Sequence, residues 1–375
     1  MSVLIKNLHI KNFKSVRDLS LECDRINIFI GKPNAGKSNI LEAISLLGAG
    51  YSEERFMKGF IRYNSIFQLF NNFDIRKPVS LVVDDISVDL SKNYREETFH
   101  FSIEPTELKK RRNDAAEQGY DIGMEYLMNK DPREPFESYE EEFYATREDD
   151  EHDSLISQSR DVTLQPDGKI INQKRHGHNQ SPVKKYEFKL QSGRKDSHSF
   201  FTPPHGGNFY QIVRSHQELR EEIQHFLKPN GLELLLDEEN KRVSILQREA
   251  ASVISFPLHL VPDTFQRYIF HLAAIMSNRD SVLLFEEPES HSYAPYVYQL
   301  AQHILDDEGG NQYFITTHSP YFLLPLMQEG KDVAVFATWF EDYQTHARRL
   351  TEEEIREMLD YGVDVFLNLD HFTPA

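Results

Sequence analysis

The segment Gly31-Lys32-Pro33-Asn34-Ala35-Gly36-Lys37-Ser38-Asn39 constrains this chain more than any other. It has the form G-x-x-x-x-G-K-S of a phosphate-binding loop, a motif that requires a strand before it and a helix after it. A short apolar run, Ile26, Ile28, Phe29 and Ile30, precedes it, and Ile40, Leu41, Ile44 and Leu47 follow at helical spacing. Gly31 and Gly36 let the backbone turn so that successive N–H groups point at phosphate oxygens. The start of the helix adds its positive dipole end. Lys37 would meet the β- and γ-phosphates of a nucleotide, and the Ser38 hydroxyl would hold Mg²⁺.

Two further strand ends carry chemistry. Ser281–Glu287 reads Ser-Val-Leu-Leu-Phe-Glu-Glu, a continuous apolar run ending in two carboxylates. Such a run marks a central parallel strand. Glu286 at its end is the candidate Mg²⁺ ligand, and Glu287 the candidate general base for an attacking water. Pro288 and Glu289 follow. A second strand-like run, Gln312–Thr316, ends in Thr317-His318-Ser319-Pro320, which makes His318 the candidate γ-phosphate sensor.

These residues carry a resemblance. The opening Leu4–Ser15, with Asn34 inside the loop and Asn39 after it, resembles the start of ATPases of the SMC, Rad50 and RecF kind. Leu-Phe-Glu-Glu-Pro-Glu-Ser-His and Thr-Thr-His-Ser-Pro-Tyr resemble the overcoming-lysogenization-defect (OLD) group of ABC-type ATPases. Within it, the chain is similar to the stand-alone ATPases of bacterial anti-phage operons. The resemblance covers residues 1–75 and 255–325. It implies an α/β fold: an ABC-type P-loop NTPase head with a mixed sheet and an inserted α+β or helical subdomain. ATP and Mg²⁺ are the implied ligands, with residues 31–39 cradling the nucleotide.

Two places depart from the pattern. Relatives carry a Ser and Gly signature before the helix that precedes the Glu-Glu strand, where it binds the γ-phosphate of the other subunit. Here the stretch is Leu260–Arg267 and the glycine is missing. Thr264 stands in for the serine hydroxyl, and Asp263 or Thr264 would cap the helix. Arg267 either brings charge to the phosphates or is a solvated helix arginine. Glu286 occupies a position where most P-loop ATPases have Asp. Relatives also keep a polar Mg²⁺-sensing residue after the P-loop helix; Gln68, Asn71 and Asn72 are candidates, and Gln68 is carried forward.

Composition fits a cytoplasmic enzyme. The 375 residues suffice for two domains or one large domain with an insert. No apolar stretch approaches membrane-spanning length, and Lys6, His9, Lys11 and Lys14 interrupt any signal-peptide core. A single cysteine, Cys23, excludes an intramolecular disulfide. The formal net charge is −18 and unevenly spread. Residues 131–153 hold eleven acids against two arginines; residues 169–195 hold eight bases against one acid. Such runs are solvated faces that neutralise each other or, in the basic case, a patch for nucleic acid.

Lys37 and Glu287 stand 250 positions apart, so something is inserted. The expected division is an N-terminal head part at 1–84 and a charged insert at 85–243. A C-terminal head part at 244–340 and a helical tail at 341–375 complete it. Alternation at Ile86, Val88, Leu90, at Phe99, Phe101, Ile103 and at Tyr186, Phe188, Leu190 predicts strands. Residues 104–160 read as a polar helical or partly disordered insert. Ser215-x-x-Glu218 predicts a capped helix with Leu219, Ile223, Phe226 and Leu227 on one face, stopping at Pro229-Asn230-Gly231. A hairpin is predicted at Leu232–Leu236 and Arg242–Leu246, and no sustained heptads indicate a coiled-coil arm. Thr351-x-x-Glu354 opens a last helix. A tail this short cannot form the nuclease domain of larger OLD-type proteins, so the resemblance implies an effector, nuclease or toxin, on another polypeptide. Homo-oligomerisation through the heads is expected. The alternatives are a RecF-like repair or recombination ATPase that binds DNA directly, and an ATP-gated binding module with little turnover.

Overall fold

The computed structural model describes residues 4–51, 55–117, 159–176, 180–189, 198–249 and 252–373. Its centre is strand β3 (Ile26–Ile30), buried at every position. β3 lies between two parallel partners from far down the chain, β14 (Gln312–Thr316) and β15 (Val333–Glu341). β13 (Val282–Glu286) runs parallel to β14, and β9 (Val183–Tyr186) runs parallel to β13 at the edge. β16 (Gln344–Arg349) folds back antiparallel on β15 and closes the other edge. The result is a six-stranded mixed sheet with the strand ends after β3, β13 and β14 side by side.

Period-two alternation sorts these strands between two cores. Ile28, Ile30, Leu283, Phe285, Tyr313 and Ile315 face one cluster. This cluster includes helices α5 (Asp263–Ser277), α6 (Ala294–Leu305) and α7 (Pro320–Glu329). Phe29, Val282, Leu284, Phe314 and Phe336 face the other, with α1 (Lys37–Ser45) and an antiparallel sheet of seven strands. Both faces are therefore covered, as a largely parallel sheet requires.

The antiparallel sheet takes in β1 (Asn7–Phe13), β2 (Val16–Glu22), β4 (Val79–Val83), β5 (Ile86–Asn93) and β6 (Thr98–Pro105). β7 (Ser159–Leu164) and β8 (Ile170–His176) complete it, in the order β2-β1-β4-β5-β6-β7-β8. The stretch from residue 85 onward thus continues the sheet begun by β1, and its last part, β9, enters the P-loop sheet. The division expected at 84/85 falls in the β4–β5 turn. Those at 243/244 and 340/341 fall inside β11 (Arg242–Glu249) and β15. Of the charged stretch 104–160, only α2 (Thr106–Glu117) and the strand residues at its ends are described; the acidic run at 131–153 lies outside the described residues.

Around the hairpin, β10 (Leu232–Asp237) pairs with β11 in the expected place, and β12 (Ser252–Pro257) adds a third strand. α3 (Phe209–Ser215) and α4 (Gln217–Leu227) precede it. The Ser215–Glu218 capping box does not form. Ser215 ends α3, and its hydroxyl turns back to the Ile212 carbonyl, so α4 starts from His216 without a side-chain cap. Leu219, Ile223, Phe226 and Leu227 are buried as the spacing predicts. The second box does form, with Thr351 and Glu354 bonding reciprocally at the start of α8 (Glu352–Tyr361). Among the described residues no helix is long and apolar enough to cross a membrane.

Candidate functional site

The phosphate loop leaves β3 and enters α1 through two positions that only particular residues tolerate. Gly36 has φ 94°, and a β-carbon there would overlap the Thr345 side chain of β16. Asn34 has φ 63°, a left-handed conformation that Asn accepts more readily than most residues. Gly31 sits against the Thr338 carbonyl, where a β-carbon would clash. The loop is thus pressed onto the β15–β16 hairpin. Asn39 is fixed below it by donating to the Ser15 hydroxyl at 2.6 Å, and Ser15 contacts the Thr345 hydroxyl at 2.6 Å.

A cavity of about 950 Å³ opens beside the loop. Residues 33–39 line it together with Glu286, Glu287, His318 and Arg267, so three distant motifs and the helix arginine converge. Lys37 Nζ donates to the Gly31 and Lys32 carbonyls at 2.9 and 3.0 Å. Burial pushes its pKa down to about 8, against the pull of the Glu287, Glu286 and Glu289 carboxylates. A phosphate would restore the charge balance that this lysine lacks.

Glu286, at the end of β13, has cations on both sides. Arg62 Nη2 lies 3.1 Å from Oε1, and Lys185 Nζ lies 3.4 Å from Oε2. Burial raises the carboxyl, but Lys185, the hydrogen-bonded Ser38 hydroxyl and Arg62 outweigh it and hold Glu286 below its ordinary value. Ser38 and Glu286 therefore present hard oxygen donors next to the phosphate cradle, a donor set that fits Mg²⁺. Glu287 follows in a left-handed conformation, φ 44°, which a glutamate rarely adopts. Such strain accumulates where geometry serves function. Its Oε1 lies 3.4 Å from His318 Nε2. Burial and the Lys37 charge lower the His318 pKa, with Glu287 pulling the other way.

Most of the other expected residues lie elsewhere, and Arg267, which does line the cavity, is engaged by its neighbours. Gln68 is not among the cavity residues: its Oε1 accepts from the Asn64 and Ser65 backbone at 2.7 and 3.3 Å, which closes a short 3₁₀ turn. Asn71 donates to the Lys14 carbonyl, and Asn72 to Asn71. Thr264 does not line its own chain's cavity; its hydroxyl accepts from the Tyr293 amide at 3.1 Å. Neither Asp263 nor Thr264 caps α5, whose first turn follows Pro262. Arg267 pairs with Asp263 at 2.7 Å and lies over the Phe188 ring. The Lys32 ammonium turns outward to Asp370 at 2.6 Å, so only its carbonyl serves the loop.

Sequence reasoning did not find Arg62, Lys185, Ser15 and His271 as site residues. Lys185 sat inside the basic run, yet it is buried on β9 with Nζ donating to the Phe60 carbonyl at 2.9 Å. Its neighbour Lys184 is buried too, held by Asn278 and Ser281 at 2.7 and 2.8 Å. Two of the eight bases thus face inward and are lost to any nucleic-acid patch. Arg62 has no motif of its own. It is positioned by Glu42, a fully buried α1 carboxylate that also takes the Lys14 ammonium.

Residues 26–324 match the family described as AAA domain, putative AbiEii toxin, Type IV TA system. The chain belongs to this family. The matched residues take in the ends of β3, β13 and β14, and an AAA domain agrees with the α/β fold and its phosphate loop. An uncharacterized protein of Methanocaldococcus jannaschii is 35% identical over 123 residues, 29% of this chain and 56% of its own length. The DNA double-strand break repair Rad50 ATPase of Archaeoglobus fulgidus is 36% identical over 93 residues, 24% of this chain and 10% of its own. The chain thus spans about half of one curated relative and a tenth of the other. Among solved structures, an SMC head bound to the C-terminal winged-helix domain of ScpA is 13% identical. It covers 94% of this chain and 99% of its own, with a TM-score of 0.47. The SMC head domain of Thermotoga maritima has a TM-score of 0.40 at 12% identity, covering 92% of this chain and 99% of its own.

Proposed function

We propose that this AAA-domain protein binds ATP with Mg²⁺ beside the phosphate loop and hydrolyses it. We further propose that it uses the cycle as a cytoplasmic sensor or scaffold controlling a separate effector, a nuclease or toxin, in anti-phage defence. The observation that carries the enzymatic part is the strained Glu287 facing His318 at 3.4 Å in the cavity lined by the loop. Lys37 and the loop amides bind the phosphates. Ser38 and Glu286 hold the metal, which when bound neutralises charge on the β- and γ-oxygens. Glu287 Oε1 accepts a proton from the attacking water, and His318, whose pKa burial and the Lys37 charge lower, offers a hydrogen bond to the terminal phosphate. The defence role rests on the OLD-like motifs and on a family description that names a type IV TA system.

The test is ATP turnover by purified protein, with Glu287→Gln as control, followed by phage challenge of cells carrying the gene and its neighbours. A parent that binds ATP without turnover sinks the hydrolysis reading and leaves an ATP-gated binding module. Protection lost with Glu287→Gln, together with an effector that co-purifies, supports the whole. Strongly salt-dependent duplex binding would instead favour a repair ATPase.

A further inference from the structure

The motif after β13 contains a third carboxylate with no role so far. Glu289 is half-buried, and one of its oxygens, Oε1, accepts two hydrogen bonds from the neighbouring strand end: Thr317 Oγ1 and the His318 amide, both at 2.7 Å. Thr317 in turn accepts from the Ser319 amide at 3.0 Å, at the entry to α7. The opposite tie is also present. The Glu287 amide donates to the Thr316 carbonyl at 3.0 Å and contacts the Thr316 hydroxyl at 3.2 Å. The two strand ends that carry Glu287 and His318 are therefore cross-bonded in both directions across parallel β13 and β14.

We infer that Glu289 is a positioning residue: it locks the His318 backbone to the Glu287 turn and so sets the spacing at which these two side chains act. The inference rests on the hydrolysis reading above. A backbone tie suits this task better than a side-chain contact. The Glu287–Ser290 turn is left-handed at Glu287, and without an external anchor it would relax to a commoner conformation. Glu289 anchors that turn from two residues away. Its second oxygen, Oε2, is buried and has no hydrogen-bond partner among the described residues. Burial also raises its pKa above the ordinary value. Both donors meet Oε1, so a group that keeps an acceptor at that place keeps the tie, and glutamine is the nearest mimic.

Three variants test this. Glu289→Ala removes the acceptor, Glu289→Asp withdraws it by one methylene, and Glu289→Gln keeps it. The expected result is a roughly 10- to 100-fold fall in kcat for the alanine and aspartate variants, with KM for ATP within about threefold of the parent. The glutamine variant should recover most of the loss. Parent-like kcat in the alanine variant, or a glutamine variant as impaired as alanine, overturns the inference. Should the alanine variant not fold, the aspartate–glutamine comparison decides alone, and equal kcat for the two overturns it. Hydrogen exchange at the His318 amide, read without nucleotide, separates this inference from the function on which it rests. An inactive parent sinks the function. In that case, faster exchange in the aspartate variant with protection kept in the glutamine variant supports the tie, and unchanged exchange in both overturns it.

Discussion

The Lys37 ammonium is bound to two loop carbonyls and, among the described residues, has no carboxylate within salt-bridge distance, which is why burial can depress its pKa to about 8. Lys37→Ala should abolish measurable ATP binding in calorimetry and function in cells; unchanged affinity would mean the phosphates bind elsewhere. Glu287→Gln should keep ATP affinity and slow turnover by roughly 10²–10⁴-fold, the usual worth of a general base. Glu286→Gln should instead shift the Mg²⁺ concentration needed for half-maximal turnover upward. If Glu286→Gln is dead while Glu287→Gln turns over normally, the two roles are reversed. These residues were legible because each stands at the end of an apolar run, where backbone geometry and chemistry coincide. Arg62 was not. It reaches Glu286 from a loop, through the buried Glu42 that fixes it, and nothing in local sequence encodes that pairing. Gln68 misled for the converse reason: a polar residue at the right distance was already spent on its own 3₁₀ turn.

At the level of elements, β9 shows how a charged stretch hides a buried strand. Val183-Lys184-Lys185-Tyr186 reads as surface, yet all four residues are buried, because each lysine finds acceptors inside the protein. Among the described residues Lys184 has no carboxylate partner; it lies over the Phe200 ring, and burial pushes its pKa down to about 7 from an ordinary 10.5. Between those values the unfolded chain keeps the proton that the folded chain releases, so stability rises with pH across that window. Each unit of such a shift is worth about 1.4 kcal/mol. Lys184→Met should flatten this rise; the check is urea unfolding at pH 7 and pH 10, parent beside variant. An equal rise in both would assign the pH dependence to other groups. The β10–β11 hairpin was readable from its turn residues, whereas β12 was not: Ser252 to Ser255 are all exposed, so no alternation of burial marks the strand and its pairing with β11 alone defines it.

For the whole molecule, the open question is whether one head suffices. Thr264 does not line the cavity of its own chain, and the assembly through the heads expected from the resemblance would put it at a neighbour's phosphate. Mixing Lys37→Ala with Thr264→Ala chains should return partial ATPase activity, because some shared sites regain both sound halves. If the mixture stays dead, each head works alone. The six-stranded order was legible only in outline, since the motifs named β3, β13 and β14 but not which strands would flank them. That order has a consequence for how the protein comes into being. β3 leaves the ribosome long before its partners β14 and β15, which begin at Gln312 and Val333. At about 5–20 residues per second, roughly 15 seconds to a minute of synthesis separates them. Throughout that interval the nascent phosphate-loop strand has both edges bare and must be kept from wrong pairing. Nucleotide cannot assist early folding, because its site does not exist until the late strands arrive. The first moment at which such a chain could hold a nucleotide is the moment at which β14 and β15 have closed on β3.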